Sequence, residues 1–248
     1  MIAREELMAA AIARVILDPQ APAVRHIAVG AASPIPAAAC WLVRFLGHDV
    51  RLSLLHRQTG NPFTAGTREL FDLAGQGRID LFFLGGGQID GQANINLIGT
   101  GDWPGTTVRF PGSFGAPFMY LMVPRTILFR EEHSRRVLVP RVNIVSAPGL
   151  SPPDVFRRGH AQALVTGRCV FSFNPDAGRF TLRSIHPGET PASIAENTGF
   201  TYETYDTVSS TRPPSADELD LLRGPVCEAM RETYPAFCQR VWGTLVTT

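Results

Sequence analysis

The stretch FFLGGGQIDGQANIN (82–96) sets three consecutive glycines against four carboxamides and one carboxylate. An apolar run leads straight into Gly85, Gly86 and Gly87. Glycines in series let backbone amides approach a ligand closely. Gln88, Gln92, Asn94 and Asn96 can orient a ligand by hydrogen bonds without adding charge. The GxGxxG spacing of a dinucleotide fingerprint is absent and no helix-forming run follows. The residues alone leave two readings open, a ligand cradle and a tight strand exit. Asp90 reads as a cap that orders the carboxamides. His56, in LLHRQTGN (54–61), is placed either to move a proton or to sit half exposed at a strand end. His133, in EEHSRRV, reads as part of a surface turn with local ion pairs, the alternative being an arginine contact to a phosphate. His186 reads as structural, because His-Pro-Gly followed by Thr-Pro prepares a helix start. Ser33 has no adjacent base and no GxSxG elbow, which argues against serine hydrolysis.

Composition removes several classes of function. The 248 residues carry 23 basic and 22 acidic side chains, a net charge of +1, so neither nucleic acid nor an anionic membrane surface is expected as a partner. All the basic residues are arginine. That excludes Schiff-base lysine chemistry and a P-loop lysine within the chain. Arginine still suits phosphate recognition through its planar fork. Cys40, Cys169, Cys227 and Cys238 show no CxxC pairing and no metal spacing, and read as reduced thiols. No metal and no permanently bound cofactor are expected. The start MIAREELMAAAIARVILDPQ lacks the basic and apolar regions of a signal peptide, and no apolar run reaches the roughly 20 residues that span a bilayer. A soluble, cytoplasmic protein is the expectation.

The elements that must position these residues alternate. Helical spacing over 3–16 is followed by a strand at 25–30 and a helix at 33–47 stopped by Gly47. A strand at 50–55, a helix at 67–77 and a strand at 79–87 follow. This order predicts an α/β fold with a mostly parallel sheet and flanking helices. In such sheets ligands bind outside the carboxyl ends of the strands, which is where VGAASPIP (29–36), LLHRQTGN and LGGGQID fall. The second half is more mixed. RTILFR (125–130) and RVNIVS (141–146) read as strands, and 168–185 as a hairpin around Asn174–Gly178. Thr190-Pro191 starts a short helix, and Ser215 with Glu218 forms a capping box. Gly224-Pro225 is expected to interrupt the helix that follows. Trp41 and Phe45, at i and i+4, are expected in the core. One domain over 1–248 is expected, with a helical tail from about 210 to 248.

GRIDLFFLGGGQIDGQANINLIGTG resembles the GRIDVGFLGGAQID-x-x-GNLN segment of the class I CoA-transferases, closest to the β-subunit of the glutaconate CoA-transferase type. VRFPGSFGAPF (108–118), 126–149, SIHPGETPASIAENTGF (184–200) and PPSADELDLLR (213–223) are similar to further segments of the family, in order, from about Glu5 to Arg223. The resemblance implies a fold of the CoA-transferase type and an acyl-CoA substrate, with coenzyme A entering as part of that substrate. It also implies an α-subunit partner, in an α2β2 assembly, that supplies the other half of the active site. It places acyl-CoA contacts at Gly85, Gly86, Gly87, Gln88 and Asn94, and at Gly112, Ser113, Gly115 and Ala116.

Two departures matter. The family places a nucleophilic glutamate just after the second strand, in an E-S-G or E-N-G turn; here Gln58-Thr59-Gly60 stand there. Gln58 can hydrogen-bond a carbonyl or a water, but it is not a carboxylate nucleophile, so its implied role is positioning, with His56 a weaker candidate beside it. In GSFGAPF, Phe114 and Phe118 replace small or polar residues and would shape a bulkier, more apolar acyl pocket. One branch of the superfamily without the glutamate is a two-subunit hydrolase that opens the last ring in steroid degradation, and this chain resembles it. A ring-opening C–C hydrolase acting on a cyclic β-keto acyl-CoA is therefore the first expectation. A true CoA-transferase is the second, with Glu69 the nearest downstream carboxylate although better placed as a solvated helix face. A non-catalytic scaffold subunit is the third.

Overall fold

The computed structural model describes residues 2–57, 59, 63 and 65–243. In chain order the elements are α1 (Arg4–Ile16), β1 (His26–Val29), α2 (Pro34–Phe45), β2 (Arg51–Leu54), α3 (Thr67–Gly75) and β3 (Leu81–Leu84). Two short ribbons follow, β4 (Gln88–Ile89) with β5 (Ile95–Asn96) and β6 (Gly99–Thr100) with β7 (Val108–Arg109). Then come α4 (Ala116–Met122), β8 (Arg125–Arg130), β9 (His160–Thr166), β10 (Cys169–Asn174), β11 (Arg179–Ile185), α5 (Pro191–Asn197) and β12 (Glu203–Ser210). The tail is α6 (Ala216–Leu221), a π-turn (Leu222–Val226), α7 (Cys227–Met230) and α8 (Pro235–Trp242).

Eight strands form one sheet in the order β12-β11-β10-β9-β8-β3-β1-β2. The run from β2 to β9 is parallel throughout. β10 and β11 then turn back as an antiparallel hairpin, and β12 closes the sheet parallel to β11. This is the mostly parallel α/β sheet, with a mixed second half, that the alternation of elements predicts. Period-2 alternation buries both faces. Ile27, Val29, Leu81 and Phe83 point toward α1, α2 and the tail helices. Ala28, Phe82, Leu84 and Leu128 point toward α3, α4 and the ribbons. Among the described residues no helix is long and apolar enough to cross a membrane.

Three expectations need correction. The strand expected at 141–146 does not form. There the backbone amides of Val142 and Asn143 donate to the side chains of Asp90 and Gln88, and Ser146 donates to the carbonyl of Ile95. The segment is thus satisfied by side chains and a single bridge rather than by a strand ladder. Gly224-Pro225 does not break the tail helix. A π-turn widens the backbone around Pro225, and α6 continues into α7. Phe45 stacks on Trp41 at 5.8 Å but is 40% exposed, so only Trp41 belongs to the core.

One buried carboxylate ties the two ends of the chain together. Glu6 is 1% exposed and closes the start of α1 by accepting from the backbone amide of Ala3 at 2.8 Å. It also accepts from Arg223 Nε at 2.7 Å and Nη2 at 3.0 Å, and from Trp242 Nε1 at 3.2 Å. Burial opposes ionisation of Glu6, but the donors from Arg223, Ala3 and Trp242 outweigh it and hold the carboxyl below its ordinary range. Glu6→Ala removes a helix cap and the acceptor that Arg223 and Trp242 share, and with it the tail's anchor on α1. It is expected to lower unfolding free energy by about 3 kcal/mol in urea titration. A loss under about 1 kcal/mol would show that the tail is held by apolar packing alone.

Candidate active site

A groove of about 1600 Å³ opens at the carboxyl ends of β1, β3 and β8, where an open parallel sheet binds its ligands. Its floor includes Ser33, the Gly85–Gly87 turn, Phe110 and the segment after β8. The three glycines are dictated by packing. A Cβ on Gly85 would lie 2.8 Å from the carbonyl oxygen of Phe129, one on Gly86 would lie 2.4 Å from Ile95 Cγ2, and one on Gly87 would lie 2.1 Å from the Phe110 ring. The turn therefore threads between β8, β5 and the segment after β7 with bare backbone, and that backbone faces the groove.

The carboxamides turn inward. Gln88 Oε1 accepts from Asn96 Nδ2 at 2.7 Å and from the amide of Asn143 at 3.0 Å, while Gln88 Nε2 donates to Asn143 Oδ1 at 2.7 Å. Asn96, fully buried, also donates to the carbonyl of Gly99 and accepts from the amides of Ile98 and Gly99. Asn94 donates to Asp90 and accepts from the amide of Gly149 at 3.0 Å. Asp90 caps the turn through the amides of Gln92, Asn94 and Val142, as its position suggests. Gln88 and Asn94 thus hold the loop against the 140s segment, and Gly85, Gly86 and Gly87 are the members of the set that reach the groove.

Residues 112–118 form a separate feature. Phe110 and Pro111 line the groove, but Gly112, Ser113, Phe114, Gly115, Ala116 and Phe118 are not among its walls. Gly112 has φ +104, and Gly115 lies so close to the Phe71 ring that a Cβ would sit 2.0 Å from it. Phe114 is 77% exposed at φ +46, a left-handed conformation that costs a bulky residue about 1 kcal/mol or more. Its ring lies 5.7 Å from Phe71, and Phe118 meets the same ring edge-on at 6.0 Å. Gln58 lies outside the described residues. His56 is exposed just beyond β2, with its ring stacked on Tyr234 at 5.9 Å.

His133 corrects an expectation. It is 4% exposed rather than part of a surface turn, and bonds Thr166 Oγ1 at 2.8 Å and Thr198 Oγ1 at 3.0 Å. His186 is buried and bonds Thr211 Oγ1 and the Thr166 carbonyl. Burial pushes both imidazoles from 6.5 to about 4, with Arg168 adding to the effect on His133. Both remain neutral at pH 7, so neither supplies a charge to the groove.

Glu131, Glu132, Arg168 and Glu189, which no motif marks as site residues in the sequence, also line it. Glu132 is engaged by the Ser134 hydroxyl at 2.6 Å and by Arg136, and both hold its carboxyl below the ordinary range. Glu189 pairs with Arg168 at 3.3 Å and accepts from Ser193. The signal that could have found Glu131 and Glu132 is their place directly after an apolar strand. Among the described residues, no three His, Cys, Asp or Glu side chains converge on a point able to hold a metal ion.

The profile described as Coenzyme A transferase matches residues 42–197, a span that runs from α2 to the end of α5 and includes the glycine turn. This chain belongs to the Coenzyme A transferase family. It is 31% identical over 153 residues to the B-type subunit of the 3-oxoadipate CoA-transferase of Pseudomonas knackmussii, covering 59% of this chain and 58% of that one. It is 32% identical over 160 residues to the cholesterol ring-cleaving hydrolase IpdB subunit of Rhodococcus jostii, covering 63% and 62%. The chain thus spans about three fifths of the length of these two curated relatives. Among solved structures, Rhodococcus jostii RHA1 IpdAB superposes with a TM-score of 0.75 at 26% identity, over 90% of this chain and 94% of that one.

The two neutral histidines generate a stability prediction. A folded pKa below the unfolded value means that the unfolded chain binds the extra protons, so stability rises with pH between the two values. The contribution of His133 and His186 is complete above about pH 6.5 and drains away as pH falls toward 4. His26 and His160, also lowered by burial, act in the same direction. Urea midpoints should fall steeply between pH 6.5 and 4.5, with each of the two deep histidines worth on the order of 2–3 kcal/mol. A midpoint flat over that window would mean that these imidazoles are not buried neutral.

Proposed function

We propose that this chain is the β-type subunit of a heteromeric acyl-CoA enzyme, a ring-opening C–C hydrolase acting on a cyclic β-keto acyl-CoA, with an α-type partner carrying the catalytic base. The observation that carries this reading is the stretch LLHRQTGN, in which Gln58-Thr59-Gly60 stands where the resemblance to the family sets an E-S-G turn. An amide cannot form the acyl anhydride through which a transferase passes CoA. Among the described residues, two of the three carboxylates that line the groove, Glu132 and Glu189, are engaged by Arg136 and Arg168 and are poor substitutes for a free nucleophile. The similarity to the IpdB subunit supports the same reading.

The chemistry needs no acyl-enzyme. A base removes a proton from water, whose oxygen attacks the ring ketone carbon. The tetrahedral oxyanion collapses and breaks the bond between that carbon and the carbon α to the thioester. The electron pair is held as the thioester enolate and is then protonated at that carbon. The product is a ring-opened acyl-CoA bearing a new carboxylate. In this reading the amides of Gly85 and Gly86 face the thioester and enolate oxygens, while the Gly87 amide is bonded to the Asn96 carbonyl at 2.9 Å. Gln58 orients the water or the ketone. Phe114 and Phe118 form an apolar wall for a bulky alicyclic acyl group, of the kind met in steroid-type catabolism, once the partner encloses it. The second reading is a CoA-transferase that moves CoA between an acyl-CoA and a carboxylic acid. The specific observation in its favour is the 31% identity to the 3-oxoadipate CoA-transferase chain.

The two readings separate in one assay. The chain, co-purified with its α-type partner, is given a cyclic β-keto acyl-CoA in ¹⁸O water with and without acetate. Incorporation of ¹⁸O into a ring-opened acyl-CoA, indifferent to acetate, is expected. Acetyl-CoA formed only when acetate is present would establish the transferase instead. Phe114→Gly tests the acyl wall. Relief of the left-handed strain should hold or raise Tm, while KM for the bulky thioester rises about ten-fold, equivalent to about 1.4 kcal/mol. An unchanged KM would remove Phe114 from the pocket.

A further inference from the structure

We propose that Glu232 and Tyr234, in the turn between α7 and α8, are positioning residues of the site: they latch the loop that leaves β2. This rests on the functional reading above only for its catalytic consequence. Glu232 Oε1 accepts from the backbone amide of Thr59 at 2.9 Å. The Thr59 side chain and then its amide hold the Glu232 carboxyl below its ordinary value, with Arg57 adding its charge. Two residues on, the Tyr234 ring stacks on His56 with an interplanar angle of 20°. Its hydroxyl donates to the carbonyls of Ala31 at 3.0 Å and Gly30 at 3.4 Å, just past the end of β1. Tyr234 is 8% exposed, and burial pushes its phenol up to about 12, so it remains a donor at every working pH.

The tail therefore grips both strand exits at once. β1 and β2 are neighbours in the sheet, but their pairing stops at Val29 and Leu54. Beyond that point Gly30 and Ala31 after β1, and His56 and Thr59 after β2, meet on residues 232–234. The grip takes hold of the loop at His56 and at Thr59. A carboxylate holding a backbone amide fixes the peptide plane, which a loop side chain needs if it is to orient water or a carbonyl within a few tenths of an ångström. Phe237 and Arg240, from the helix that Tyr234 introduces, line the groove itself, so the tail is part of the site's wall.

The test uses two readouts. Tryptic cleavage after Arg57 in the full chain reports release of the loop whatever the reaction is. Turnover and KM of the complex with its partner report the catalytic consequence. For Glu232→Ala, cleavage after Arg57 should rise at least ten-fold with Tm nearly unchanged. kcat should fall ten-fold or more, with KM within two-fold. Glu232→Gln, which keeps an acceptor but not the charge, should lie between. Tyr234→Phe, which keeps the stack on His56, should show a milder form of both effects. Wild-type cleavage rates in Glu232→Ala would overturn the latch. Faster cleavage with unchanged kcat would overturn its positioning role. If the wild-type complex turned over no CoA thioester in either assay, the functional reading would fall, and the proteolysis arm alone would uphold or overturn the latch.

Discussion

No side chain fits where the third strand of the parallel run leaves the sheet. The path from Leu84 to Gln88 passes within Cβ-excluding distance of the Phe129 carbonyl, the Ile95 methyl and the Phe110 ring in turn. Three bare peptide units must occupy that gap, and most of the site follows from this. Because the turn carries no side chains, its backbone becomes the groove's surface. Because it needs support on its far side, the residues after it spend their carboxamides on one another and on the 140s segment. The buried polar network is satisfied without a ligand, so the backbone face is built before anything binds.

That arrangement separates scaffold from chemistry. A groove walled by backbone can serve any reaction that develops charge on a thioester oxygen, whether acyl transfer or carbon–carbon cleavage. The side chains placed around it decide between them. On the functional reading proposed above, the change that decides is Gln58 in LLHRQTGN, set against the glutamate of the family's E-S-G turn. The paired states of Glu132 and Glu189 leave those two carboxylates engaged with arginines. The tail adds its own constraint, since Glu6 anchors it to α1 and Glu232 and Tyr234 bring it onto the exits of β1 and β2.

Much of this was legible in the residues. The alternation of apolar strands and amphipathic helices up to residue 87 marks the parallel half of the sheet, because strands buried on both faces read as unbroken apolar runs. Thr190 caps α5 ahead of its first-turn proline, and the Ser215–Glu218 capping box forms as its spacing requires. What periodicity could not show is long-range. The 141–146 run is β-like in composition, but its amides are taken by Gln88 and Asp90, more than fifty residues away in sequence. His133 sits among charged residues, a surface signature, yet Thr166 and Thr198 close over it from two other elements. The GGG turn was recognisable as special, whereas the inward direction of Gln88 and Asn94 depends on partners no local pattern names. Glu232 falls in a tail with no motif, so only the folded chain brings it to Thr59.

If the functional reading holds, the backbone-built groove of a CoA-transferase fold works here without a covalent enzyme intermediate. Intact-mass spectrometry of this chain, quenched during turnover of an acyl-CoA by the complex with its partner, tests that directly. An unmodified chain at every time point is the expected result. A population heavier by coenzyme A less one water, discharged by hydroxylamine, would show that a carboxylate of this chain acts as the nucleophile and would contradict it.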